Sequence, residues 1–562
     1  MAIVQVSIFT TKCKMTDFKR WGRLVSALIV LQIVLVLPDW PGNLVPLWFV
    51  RLPAELPAIV LAVLLTHGLW QRRLCALIAS GLTVLICLKF ANLFAFTGFA
   101  RPFNILVDPG LLGIALHTLS QGREILVGVS LAITAIASIA MVFAAARWAL
   151  MVLASTWPSG LRMPAFVFVG ILAISAVGLK DIKIGSAWWP VTSVESTKFA
   201  AERTRSISEG IRNDAQFRQE MATDQTRAIP SDRLLAGLKG ADFLLIFVES
   251  YGRTALDDPA HAETLRATLQ QFEDELVTNG FAARSAWLTS PTFGGQSWLA
   301  HGTLLSGLWL DNQRRYNSLF MRDHATLIAD FRRSGWRTLA VMPQIMLSWP
   351  EATFFGYDKV YTAANLDYAG PRFHYVTMPD QYTLSVLDEY ELSPPDRPAV
   401  MAEIGLVSSH HPWTPIPRLV PWDAVGRGEI FNKAREPFTG TNWLDRAQLK
   451  DEYAQSIEYV LQTLKSYIVT RGRNNFVLLI VGDHQPSPLV SGPSAPHDVP
   501  AHFISGDPSL LGAIDDWKWT SGMLPDESSP VWRMDSMRLR ILSAFTPPGD
   551  APVSTSTVQS GE

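Results

Sequence analysis

Four side chains from separate parts of the chain, Glu249, Ser297, Asp483 and His484, are of the kinds that bind a cation or attack an electrophile. Glu249 closes the apolar run Phe243-Leu244-Leu245-Ile246-Phe247-Val248 and leads into Ser250-Tyr251-Gly252. A second run, Phe476 to Val481, passes through Gly482 straight into Asp483-His484. Short apolar runs bounded by turn residues read as strands buried on both faces. The carboxyl ends of such strands are where open α/β sheets build their sites. The expectation is that the two strand ends meet over one metal ion, with carboxylate oxygen and imidazole nitrogen suited to Zn²⁺, Mn²⁺ or Mg²⁺. Taken alone, the Asp-His pair reads equally as a turn residue beside a surface imidazole.

Ser297 follows Gly294-Gly295-Gln296, a turn that places it at a helix start. Free backbone amides and the helix dipole favour an anion there, such as a serine alkoxide or a transferred phosphoryl group. The same serine could act as an N-cap, and the two roles are compatible.

The elements that must position these residues alternate. A strand over Phe243 to Val248 is followed by a helix over Leu265 to Asn279, a helix around Thr326 to Ser334 and a strand over Thr338 to Val341. Pro398 to Ile404 and Phe476 to Val481 read as two more strands. The alternation predicts an α/β domain with a mostly parallel central sheet.

The composition adds a second part. The 562 residues are 48% apolar and only 17% charged, with the apolar bias concentrated before about Leu179. The formal net charge of -2 gives no support for a nucleic-acid partner. All three cysteines, Cys13, Cys75 and Cys87, lie in the N-terminal part, so a metal in the C-terminal domain must be held by oxygen and imidazole. Apolar runs over Leu24 to Leu37, Pro53 to Trp70, Leu74 to Phe96, Ile125 to Ala146 and Met163 to Leu179 are read as five spans, the last four each near the ~20 residues that cross a bilayer. The basic N-terminus, Arg72-Arg73 and the loop with Arg147 and Arg162 would share the cytoplasmic side. The large domain then lies outside. Phe103 to Leu119, with Asp108-Pro109-Gly110, reads as interfacial or re-entrant, and Lys89 as a side chain snorkelling from a helix end. The expected layout is a transmembrane domain over 1–180, linker and surface helices over 181–240, a catalytic domain over 241–546 and a disordered tail over 547–562.

The segment from Ser297 to Gly307 keeps the spacing of the sulfatase signature, a Cys or Ser followed after six residues by two apolar residues, Ser or Thr, and Gly. Leu304, Leu305, Ser306 and Gly307 fall in register, while Leu299 and His301 replace the signature's Pro and Arg. With Glu249 ahead and Asp483-His484 behind, the chain resembles the alkaline phosphatase and sulfatase superfamily. Its membrane layout is most similar to the lipoteichoic acid synthase type of membrane phosphotransferase. The resemblance implies an α/β/α sandwich, a nucleophile at Ser297 that also binds metal, and a metal site completed by Glu249, Asp483 and His484. It further implies phosphate or second-metal contacts at His410, in Ser409-His410-His411-Pro412-Trp413, and at His497. Trp349 and Gly356-Tyr357-Asp358 match a substrate-gripping segment that lacks its usual Arg here, and His301 and Arg253 are further substrate candidates. The C-terminal domain has no cysteine for the disulfides found in phosphoethanolamine transferases.

The implied activity moves a phosphoglycerol- or phosphoethanolamine-type head group from a membrane phospholipid to an envelope glycan or lipid through a phospho-serine. One divalent metal, Mn, Zn or Mg, serves as cofactor, with a place for a second. The location implied is the bacterial cytoplasmic membrane. A sulfatase-like hydrolase or phosphodiesterase is the first alternative, and sulfatase chemistry is disfavoured by the missing Pro and Arg. A non-catalytic envelope assembly protein is the second.

Overall fold

The computed structural model describes residues 15–99, 102–105, 108, 124–156, 181–184, 187–190, 192–222, 224–321, 324–346, 349–373, 376–413, 417–433, 445–492 and 494–547. The chain divides into two compact units, with the main division between Arg212 and Asn213.

The first unit contains the helices α1 (Met15–Val36), α2 (Glu55–Leu65), α3 (Gly68–Phe99), α4 (Glu124–Thr156) and most of α5 (Glu195–Ala222). Among the described residues, two helices are long and apolar enough to cross a membrane, over Gly68–Thr97 and Gly128–Ser155. This does not match five spans. The expected span over Pro53 to Trp70 is not one helix: α2 stops at Leu65 after 11 residues, and Gly68 has φ +61°. At 1.5 Å per residue such a helix reaches only about 16 Å, half a hydrocarbon core. The expected span over Met163 to Leu179, the centre of the proposed re-entrant piece and the tail from 548 lie outside the described residues. Lys89 does not snorkel. It is fully buried and its Nζ donates to Leu35 O at 3.1 Å, Leu37 O at 2.7 Å and Ser196 Oγ at 3.0 Å. Its ammonium thus satisfies carbonyls left open at the end of α1.

The second unit is built on a nine-stranded sheet: β1 (Asp242–Val248), β2 (Ala282–Thr289), β3 (Arg337–Met342), β4 (Lys359–Thr362), β5 (Val400–Leu406), β6 (Phe476–Gly482), β7 (Asp498–Ser505), β8 (Thr520–Ser521) and β9 (Val531–Arg533). The order across the sheet is β8-β2-β7-β6-β1-β5-β3-β4, with β9 beside β2. Strands β6, β1, β5, β3 and β4 run parallel, whereas β7 is antiparallel to both β6 and β2. The sheet is therefore mixed, with the expected parallel part at its centre.

Every residue of β1 and β6 is buried, because both faces of the sheet are covered. Leu244, Ile246 and Val248 face α6 (Ala262–Thr278) and α9 (Arg446–Arg471), while Phe243, Leu245 and Phe247 face α7 (Ser297–Ser306), α8 (Leu327–Arg333) and α10 (Met537–Phe545). Each large apolar side chain buried in these layers, such as Leu269 or Phe331, contributes on the order of 2 kcal/mol.

Candidate active site

The register of β1 against β6 builds the site. Val248 lies opposite Gly482 in parallel strands, so Glu249 and Asp483 leave the sheet side by side. Two glycines allow the loops beyond to touch. A Cβ on Gly482 would lie 1.9 Å from Tyr251 O, and one on Gly252 would lie 2.7 Å from Gln485 Cα. Ser250 adopts φ +57°, which turns its N–H onto Asp483 Oδ1 at 2.7 Å. His484 N–H donates to the same oxygen at 2.7 Å. With Oδ1 doubly engaged, Oδ2 is the oxygen that lies 3.5 Å from His484 Nε2.

Ser297 arrives from the other side of the sheet edge. Gly294, Gly295 and Gln296 have φ of +69°, +146° and +68°, a left-handed turn that starts α7 at Ser297. The N-cap position falls to Gln296, whose side chain caps nothing, so Ser297 does not act as the N-cap. Its Oγ instead donates to Glu249 Oε2 at 2.9 Å and lies 3.2 Å from His484 Nε2. One ligand atom each from Glu249, Asp483 and His484 lies within 4.8 Å of the others.

This arrangement fits a divalent cation. Two carboxylates converge in a site where Asp483 and His484 side chains are 1% exposed, a costly placement unless a positive charge faces them. His484 Nδ1 donates to Gln485 O at 2.8 Å, which leaves Nε2 to point at the carboxylates, the orientation a metal-binding imidazole needs. Without a cation, protons and charges compensate. Burial and the nearby Glu249 push Asp483 up to about 6. His484, opposed by burial but facing Asp483 and Glu249, is raised to about 9. Burial would also raise Glu249, but His410, His484 and the Ser297 hydrogen bond outweigh it and hold the carboxyl below its usual range. Glu249, Asp483 and His484 are thus a potential ligand set for a divalent metal, and Ser297 Oγ sits among them.

The remaining sequence candidates divide. His410 follows β5 on a loop tethered by Ser409 Oγ, which donates to Glu249 O at 2.6 Å, and its charge acts on Glu249. His497 is tied through Ser290: Ser290 N–H donates to His497 O at 3.0 Å, and Ser290 Oγ donates to Asp483 O at 2.6 Å. Burial lowers the His497 imidazole. Trp349 belongs to an aromatic group with Phe355 and Tyr357 at ring distances of 6.2 and 5.9 Å. Arg253 is engaged elsewhere: its guanidinium pairs with Asp257 at 2.8 Å and Asp498 at 3.3 Å, and lies 4.6 Å over the Trp287 ring. His301, one turn after Ser297, places Nδ1 2.7 Å from Glu403 Oε1 and stacks on Phe247 at 3.8 Å. Glu403 is absent from the sequence candidates, although a carboxylate inside the apolar strand Val400–Leu406 is a visible signal.

No family model matches the chain, and no curated protein matches it. Among solved structures, it is similar to the integral membrane lipooligosaccharide phosphoethanolamine transferase A from Neisseria meningitidis at 12% identity and TM-score 0.42, covering 93% of this chain and 95% of that one. It is similar to the lipoteichoic acid synthase LtaP from Listeria monocytogenes at 12% identity and TM-score 0.35, covering 57% and 75%. A protein in the alkaline phosphatase superfamily from Vibrio parahaemolyticus matches at 12% identity and TM-score 0.35, covering 54% and 66%.

Proposed function

We propose that the chain is a membrane-anchored, metal-dependent phosphotransferase that carries a phosphoglycerol- or phosphoethanolamine-type head group from a phospholipid to an envelope glycan or lipid through a phospho-Ser297 intermediate. The observation that carries this reading is the placement of Ser297 Oγ, 2.9 Å from Glu249 Oε2 and 3.2 Å from His484 Nε2 at the common edge of two parallel strands. A serine there has no capping duty and faces a group of side chains that can lower the cost of its ionisation.

Glu249, Asp483, His484 and Ser297 would hold the metal, which when bound supplies Lewis acidity toward phosphoryl oxygen. The rest falls to side chains. Glu249 accepts the Ser297 hydrogen bond in the resting site and orients the Oγ lone pairs. The N-terminal end of α7, which starts at Ser297, would turn its positive helix-dipole end toward phosphoryl oxygens as charge moves onto them. His410 and His497, on the loops that border Glu249 and Asp483, position those oxygens. In this reading the first unit anchors the enzyme in the bacterial cytoplasmic membrane as a multi-pass protein with the catalytic unit outside.

The test uses full-length protein in vesicles of phosphatidylglycerol or phosphatidylethanolamine with labelled acyl chains. Labelled diacylglycerol should form, and mass spectrometry should find an adduct on Ser297 whose mass identifies the head group. Ser297→Ala should abolish both without changing the thermal midpoint. Normal diacylglycerol release in that variant would discard the nucleophile, and release that needs no acceptor would assign the chain to hydrolysis.

A further inference from the structure

We propose that His301, held by Glu403, is the acid–base residue of the site: it protonates the departing lipid oxygen in the first half of transfer and accepts the proton of the acceptor hydroxyl in the second. This rests on the phosphotransferase reading of Ser297.

Placement comes first. On α7, Ser297, Trp298 and His301 are partly exposed, whereas Leu299, Ala300 and Gly302 are buried. Ser297 and His301 are four residues apart on one helical face. The imidazole lies flat on Phe247, two residues before Glu249, at 3.8 Å and 17°. It lies close enough to the metal-site carboxylates for its charge to act on Asp483.

The hydrogen bonds then define the chemistry. Glu403 is fully buried in β5, opposite Leu245 of β1. Its Oε1 faces His301 Nδ1 at 2.7 Å, and its Oε2 accepts from the Tyr357 hydroxyl. A carboxylate can only accept, so Nδ1 carries a hydrogen and Nε2 is the nitrogen that exchanges one. Among the described residues Nε2 has no hydrogen-bond partner, while the side chain keeps 12% exposure. A metal-ligand role fits less well, because both Glu403 oxygens are already taken and no second carboxylate joins the pair.

The proton balance closes over two steps. As Ser297 Oγ bonds to phosphorus, its proton passes to solvent water. The bond from phosphorus to the lipid oxygen breaks, and that oxygen takes the Nε2 proton and departs as the diacylglycerol hydroxyl. In the second step the acceptor oxygen bonds to phosphorus and gives its proton to Nε2. The bond to Ser297 Oγ breaks and the serine takes a proton back from water. Glu403 is a positioning residue, since it acts only through His301.

The experiment compares two kinds of donor in the metal-loaded, full-length protein. The diacylglycerol of a phosphatidylglycerol vesicle must be protonated to leave, whereas the p-nitrophenolate of bis(p-nitrophenyl) phosphate leaves unprotonated. His301→Gln should slow diacylglycerol release on the order of 10²–10⁴-fold, with p-nitrophenol release changed by less than about tenfold. Glu403→Gln should show the same selectivity with a smaller loss. Equal losses on both donors, or loss of bound metal in His301→Gln, would overturn the proposal. If the variants do not fold, the wild type decides alone: its rates across aryl phosphodiesters should depend weakly on phenol pKa, and a steep dependence would overturn it. Persistence of both activities in Ser297→Ala would instead refute the parent reading.

Discussion

Two imidazole–carboxylate clusters, one at the ends of β1 and β6 and one at the middle of β5, are reached by Ser297 and His301 within about one turn of α7, yet they balance charge differently. His484 faces two carboxylates, Glu249 and Asp483, at 3.3 and 3.5 Å. His301 faces one, Glu403, whose second oxygen is filled by Tyr357. Where negative charge exceeds what one imidazole can neutralise, the site calls for a cation. Where one carboxylate meets one N–H and one O–H, the pair is complete and only a proton remains to be exchanged. The counting of acceptors against donors separates a metal centre from a proton relay.

The comparison breaks most visibly at Asp483. Asp483→Asn keeps an oxygen for the N–H groups of Ser250 and His484 while removing one of the two converging charges. Transfer should fall on the order of 10³-fold or more, as for removal of a central catalytic group. Isothermal titration with Mn²⁺ or Zn²⁺ should show weakened binding. In chelator the sign reverses: relief of like-charge crowding should raise the thermal midpoint of the variant above wild type by roughly a few degrees. A lower midpoint in chelator would show that the two carboxylates do not repel.

A third imidazole serves as the control that neither cluster provides. His502 is fully buried in β7, with Nδ1 2.8 Å from Ser285 Oγ and Nε2 3.2 Å from the Tyr251 hydroxyl, and no carboxylate partner. Ser285 Oγ spends its own hydrogen on Gly522 O, so Nδ1 donates and Nε2 accepts, which is the neutral tautomer. Burial pushes this histidine down from 6.5 to about 3. Between those values the unfolded chain binds a proton that the folded chain refuses, so stability falls as pH drops below 6.5. The slope from this one group is up to about 1.4 kcal/mol per pH unit. Denaturant unfolding at pH 7 and pH 5 should show the loss in wild type and a smaller one in His502→Gln. Equal losses would remove His502 as the cause.

Tyr357 tests the completeness of the Glu403 pair. Tyr357→Phe leaves Glu403 Oε2 buried without its donor and should cost about 1–3 kcal/mol in denaturant unfolding. Unchanged stability would mean that water replaces the hydroxyl.

The meeting of Glu249, Asp483 and His484 is legible because it depends on little beyond local sequence. Apolar runs buried on both faces fix where β1 and β6 end, and Glu249, Asp483 and His484 follow those ends directly. The Glu403–His301 pair was not legible, since it requires β5 beside β1 and α7 lying across both, and strand order is not written in any single run. The interruption at Thr66-His67-Gly68 is lost when the flanking apolar runs are joined, although the polar residues and Gly68 mark the place where the helix stops. Lys89 was misjudged because its carbonyl partners lie more than 50 residues away in sequence.

Arg253 gives the smallest predicted effect and the cleanest contrast with the histidines. Arg253 is a substrate candidate by sequence, but its i,i+4 partner Asp257, together with Asp498 and Trp287, occupies the guanidinium. With its side chain 27% exposed, those pairs are partly screened by water. Arg253→Met should therefore lower stability by about 1 kcal/mol and leave KM for the lipid donor within about twofold, because uniform binding would be lost only if the side chain touched substrate. A rise in KM with kcat unchanged would return Arg253 to the substrate site and show that its two carboxylate partners release it when the donor binds.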